Sequence, residues 1–88
     1  MPRYVIERDV RHWTKEDYER AGPRSVTVLD QLSGVVWIKS YVCEAEGKIY
    51  CEYESPSIDL IMEHSRRSNI PATRVSEISV EISPAMFR

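Results

Sequence analysis

An α+β domain, with four antiparallel strands and two helices on one face of the sheet, is the fold class this sequence predicts. Three observations lead there. Strand-forming runs open and close the chain, RYVIERD over Arg3–Asp9 and RVSEISVEI over Arg74–Ile82. Two more, VVWIKSYVCE and GKIYCEYE, lie side by side in its middle. A helical pattern separates each outer strand from the inner pair. The order strand, helix, strand, strand, helix, strand permits right-handed crossovers only if the strands interleave. That is the split βαβ, ferredoxin-like arrangement, βαββαβ.

Each element has its own warrant. In the first strand Tyr4, Val5 and Ile6 are strand formers, and charge closes both ends. Val10 to Trp13 reads as a connection. Thr14 then precedes Lys15-Glu16-Asp17, an N-cap with acids in the first turn. Tyr18, Ala21, Ser25, Val28, Leu29 and Leu32 fall on one helical face. Gly22-Pro23 interrupts that face, because proline removes a backbone donor and crowds the preceding turn. The expectation is a kinked or two-piece helix, ended by Ser33-Gly34.

Val35–Glu44 and Gly47–Glu54 form a hairpin whose turn, Ala45-Glu46-Gly47, asks Gly47 for positive φ. A two-residue loop would pair Tyr41 with Tyr50 and Lys39 with Glu52. A three-residue loop with a glycine bulge would pair Tyr41 with Cys51. Ser55-Pro56-Ser57 starts the second helix, which runs to about Ser68 and buries Ile58, Ile61, Met62 and Ser65. In the last strand Ile78, Val80 and Ile82 face one way, and Glu77, Ser79 and Glu81 the other.

Composition narrows the function classes. The chain has 88 residues, 42% hydrophobic and 30% charged, with a net charge of −2. That suits one globular domain spanning 1–88. Charges of both signs are spread along it, without the clustered basic face of a nucleic-acid or anionic-membrane binder. No apolar run approaches the roughly 18 residues of a membrane span. The charged start MPRYVIERDV lacks the apolar core of a signal peptide, which points to the cytoplasm. Cys43 and Cys51 form no CxxC pair and are too few for a disulfide scaffold.

The sheet face without helices is expected to carry Trp37, Lys39, Tyr41 and Cys43, with Glu77, Ser79 and Glu81. Aromatic bodies mixed with charges suit an interface more than open solvent. Two such faces stacked about a two-fold axis would close a dimeric α/β barrel. The alternative is a monomer whose tail, SPAMFR, covers them.

No phosphate loop, HExxH or GxSxG is present. His64 follows Ile61 by three residues and should be half covered at a helix end. There it would bond the last carbonyls, or else serve as a metal ligand or general base. Cys51 is a small buried hydrophobe or a thiolate ligand for zinc, copper(I) or nickel. Glu77 and Glu81 are solvated residues, ion-pair partners for Lys39 across a dimer, or hard ligands. Tyr41 and Tyr50 could line a pocket with Glu81. Arg66, Arg67 and Arg74 could make an anion site, or simply a solvated helix end.

Ser40-Tyr41-Val42, Lys48, Tyr50-Cys51, Tyr53-Glu54, Pro56, Ile61, Glu63-His64, Arg66-Arg67, Pro71-Ala72 and Arg74-Val75-Ser76-Glu77 together resemble a small bacterial domain-of-unknown-function family. Its characterised relative is a nickel-binding protein with a ferredoxin-like fold and a dimeric form. The resemblance runs from about Trp37 to Ile82, with Arg3 to Arg8 resembling the opening strand. It implies a homodimer that binds a transition-metal ion, nickel before others, in a binding or buffering role. His64, Cys51 and Glu77 are then the expected metal ligands. An isomerase or monooxygenase-like enzyme using His64 as base with Tyr41 or Tyr50, and an interaction module without a site, are the alternatives.

Overall fold

The structure, a computed structural model, describes residues 1–88. Strand β1 (Arg3–Asp9) leads to helix α1 (Lys15–Leu29). Strands β2 (Val36–Cys43) and β3 (Lys48–Glu54) follow as a hairpin, then helix α2 (Ile58–Ser68) and strand β4 (Arg74–Glu77). The sheet order is β2-β3-β1-β4, and every neighbouring pair is antiparallel. This is the ferredoxin-like α+β fold expected from the element order.

Period-2 alternation builds the core. Tyr4, Ile6, Arg8 and Val10 are buried along β1 and just past its end, and Ile49, Cys51 and Tyr53 along β3. Direct cross-strand partners share a face, so the pairs Tyr4↔Tyr53, Ile6↔Cys51 and Arg8↔Ile49 form one layer beneath the helices. Ile61 of α2 completes that cluster.

The local signals hold at several points. Thr14 caps α1 in a capping box: its hydroxyl accepts from Asp17 N, and its own N–H donates to the Asp17 carboxylate at 2.7 Å. The hairpin pairs Tyr41 with Tyr50 and Lys39 with Glu52, the first of the two registers considered. Its turn is a 3₁₀ segment, Glu44–Glu46, closed by Gly47 at φ 66°. A Cβ on Gly47 would lie 2.6 Å from Arg11 Cα, so both conformation and space demand glycine.

Four expectations are corrected. Helix α1 is a single run through Pro23 and ends at Leu29, not a two-piece helix reaching Ser33. Gly22 has no Cβ to meet the proline ring, which relieves part of the usual restriction on the residue before proline. Leu32 lies beyond the helix yet still packs against the core.

Strand β4 stops at Glu77, five residues short of Ile82. Its pairing with β1 ends there: Tyr4 faces Glu77, and Ile78 N–H reaches the Arg3 carbonyl at 2.8 Å. Val80 and Ile82 are left exposed, and so are Met86 and Phe87 in the terminal 3₁₀ turn, which therefore cover little of the sheet.

A bulge between Trp37 and Lys39 reverses the phase of β2. Lys39 and Tyr41 stay on the open face, opposite Glu52 and Tyr50. Trp37 instead turns to the helix side and stacks on Tyr53 at 6.5 Å between ring centroids. Glu77 also changes sides, since it pairs with Tyr4 and not with the open-face residue Val5.

The buried stripe of α2 is rotated from the expected one. It consists of Ile61, His64, Ser65 and Ser68, while Ile58 and Met62 are exposed. The spacing is i, i+3, i+4, i+7, still one helical face, but three of its four members are polar. They are buried because α1 presents Ala21 and Ser25 and β1 presents Arg8, which supply small contours and hydrogen-bond partners.

Candidate functional site

Polar side chains converge where α1 and α2 cross the centre of the sheet. Arg8, on the third inward position of the β1 alternation, is 1% exposed. Its Nε donates to Cys51 Sγ at 3.2 Å, and its Nη1 to Ser65 Oγ at 3.0 Å and to the Pro71 carbonyl at 2.9 Å. Its guanidinium carbon lies 5.8 Å from the Tyr53 ring centroid, within cation–π range. Cys51 Sγ also accepts from Ser40 Oγ at 2.9 Å, and that hydroxyl accepts in turn from Trp37 Nε1 at 2.9 Å.

His64 also packs against Tyr53, its ring centroid 5.3 Å from that of the phenol ring. It is fully buried, not half covered at a helix end, because three residues after Ile61 is the middle of the seam with α1. Nε2 sits 3.0 Å from Ser25 Oγ and 3.3 Å from the Ser25 carbonyl. Nδ1 is buried and has no partner. Burial holds the imidazole pKa below its ordinary value, with the Arg8 charge acting in the same direction and the Ser25 carbonyl partly opposing both. The ring is therefore a neutral core group, and the macrodipole role at the helix end does not apply. Burial likewise raises the Tyr53 phenol, against smaller opposite effects from Ser25 and Arg8.

A cavity of about 170 Å³ opens beside this network. Arg8, Cys51, Ser25 and Ser40 contribute its polar surface, and Trp13, Tyr18, Trp37 and Tyr53 are among the hydrophobic side chains lining it. Trp13 meets Tyr18 edge to face at 5.2 Å.

The sequence-derived candidates separate into two regions. Cys51 and His64 belong to this interior network, with no hydrogen bond between them. Glu77 is exposed on the edge strand β4. No three His, Cys, Asp or Glu side chains converge as a metal-holding group. Tyr41 and Tyr50 pair on the open face, where Glu81 reaches Arg3 at 3.6 Å, and Arg3 also pairs with Glu52. Both cysteines are free. Arg66 and Arg67 are committed to Glu63, whose pKa the Arg67 bond lowers, so they do not form a vacant anion site.

Arg8 and Ser25 are the residues that sequence reasoning missed. The alternation Tyr4, Ile6, Arg8, Val10 contained the signal for Arg8, which the charge at the strand end masked. Ser25 was placed on the buried face of α1, but nothing local marks it as the partner of a residue in α2.

No helix is long and apolar enough to cross a membrane. A family model described as nickel responsive protein SCO4226-like matches residues 4–78. The crystal structure of SCO4226 from Streptomyces coelicolor A3(2) aligns over 91% of this chain and 99% of that chain. The identity is 20% and the TM-score 0.77, a likeness of fold. No curated protein matches the chain.

Proposed function

The chain belongs to the SCO4226-like family of nickel-responsive proteins, and from that membership we propose a nickel-responsive binding protein that acts as a cytoplasmic homodimer. The role is binding or buffering of a transition-metal ion, not turnover. The observation that carries this reading is the family match over residues 4–78, which takes in both helices and all four strands except the first residue of β1.

The dimer is supported by what one protomer leaves uncovered. The open face and its margins expose Val5, Val36 and Tyr41, and the tail exposes Val80, Ile82, Met86 and Phe87. So much exposed apolar surface on so small a chain suits association. Free thiols at Cys43 and Cys51 suit a reducing compartment.

Within one protomer, His64, Cys51 and Glu77 do not fit a nickel ion. Glu77 lies on the exposed edge, and the Cys51 sulfur faces the Arg8 guanidinium, which repels a divalent cation. The proposal therefore concerns the dimer, in which a two-fold axis duplicates every donor of the open face.

Calorimetric titration of metal-free protein with nickel, and with zinc for comparison, tests the reading, with sedimentation run in parallel. The expected result is a saturable nickel heat and a particle of twice the 10.3 kDa chain mass. The same heat should persist in His64→Gln. A protein that gives no nickel heat and sediments as single chains would end the proposal.

A further inference from the structure

The interior network holds a cation without a counter-ion. None of the ion pairs in the structure involves Arg8. Three of its hydrogen-bonding directions are taken by Cys51, Ser65 and Pro71. Nη2 is buried and unpartnered. A buried guanidinium with no opposite charge and an idle donor is unfavourable, and structures keep one where something else completes it.

The cavity beside Arg8 has the complementary shape. A dry cavity on the order of 150 Å³ admits a benzene-sized body, and this one measures about 170 Å³. Nine of its 13 lining residues are hydrophobic, which favours a flat apolar group over a fully hydrated dianion. The Ser40 hydroxyl is already spent, donating to Cys51 and accepting from Trp37. Ser25 is engaged with His64. Arg8 is thus the cavity's charged donor, with Nη2 still unpartnered, and its charge rejects cations.

We propose that this cavity binds a small organic monoanion: a carboxylate paired with the Arg8 guanidinium and carried by a flat apolar body among Trp13, Tyr18, Trp37 and Tyr53. The carboxylate supplies the missing charge through charge-assisted hydrogen bonds. The aromatic side chains supply stacking and edge contacts to the ring. The site is separate from the nickel reading, because its ligand has the opposite charge and needs only one protomer.

Calorimetric titration of the whole chain with benzoate, and with benzamide as the neutral isostere, tests this. Benzoate should bind saturably, one per chain, and at least about tenfold more tightly than benzamide, as a charge-assisted bond requires. Arg8→Gln should erase that preference. Gly22→Leu provides the second arm. Gly22 lines the cavity, and a Cβ built there meets nothing within 4 Å, so a larger side chain has room to enter. Leucine is the better helix former, which offsets the crowding its Cβ brings against the Pro23 ring, and circular dichroism reads whether the helix is retained. Gly22→Leu should lose both ligands while its circular dichroism stays unchanged. Absence of saturable benzoate binding at millimolar concentration, equal affinity for the two ligands, or unimpaired binding in folded Gly22→Leu would each overturn the proposal.

Discussion

Acidification should destabilise this protein through His64. The ring is fully covered, Nε2 meets Ser25 at 3.0 Å and Nδ1 has no partner. No carboxylate is among its hydrogen-bond partners, and the Arg8 cation packs against the same phenol ring. The folded-state pKa therefore lies below 6.5, the ordinary value at which the ring titrates in the unfolded chain. Between those two values the unfolded chain holds the additional proton. Stability is thus retained above pH 6.5, declines as pH falls through the window, and levels off once the folded ring is protonated. One proton gives at most about 1.4 kcal/mol per pH unit. A slope of that size corresponds to roughly 6–11 °C in Tm per pH unit inside the window for a domain of this size.

Urea midpoints for the wild type and His64→Gln, measured from about pH 7.5 to about pH 5, provide the assay. Glutamine keeps a polar group near Ser25 and does not titrate. Asp9, held down to about 2 by Arg11, stays ionised across this range, and the lowered Glu63 contributes little above its ordinary value of 4.5. The wild-type midpoint should fall and the variant's should stay level. Parallel profiles would show that the ring is hydrated or paired, and the argument from burial would be wrong.

Three further outcomes are expected. Gly47→Ala should lower unfolding stability by at least about 2 kcal/mol, since the left-handed conformation alone costs an alanine about 1–2 kcal/mol and its methyl would meet the Arg11 backbone; denaturant midpoints check this. Thr14→Ala should cost about 1 kcal/mol through the lost cap, read as a lower Tm. Of the five tyrosines, Tyr53 should ionise late in an absorbance titration. Its raised folded pKa contributes stability below pH 10 that disappears as pH climbs through the folded value, and Tyr53→Phe should remove that component.

The order of elements, the Thr14 cap and the left-handed Gly47 were legible because each depends on local chemistry. Strand phase was legible only where nothing interrupted it. The bulge after Trp37 carries no composition signal, and one extra residue is enough to send an indole through the plane of the sheet. The end of β4 is set by where its pairing with the distant strand β1 stops, and its own alternation runs on regardless. The interior network was hidden for a related reason. Arg8, Ser25, Cys51 and His64 come from four different elements, and only the crossover topology brings them together. His64 stood out as a residue type, whereas its surroundings decide what it does.

The bulge in β2 has one more outcome. By turning Trp37 inward it brings both indoles of the chain, Trp13 being the other, to the lining of one recess. Tryptophan emission from this molecule therefore originates in a single neighbourhood. Anything that enters there, shifts the two rings or lets water in will register in the emission spectrum without a label, while events on the far side of the sheet will pass nearly dark.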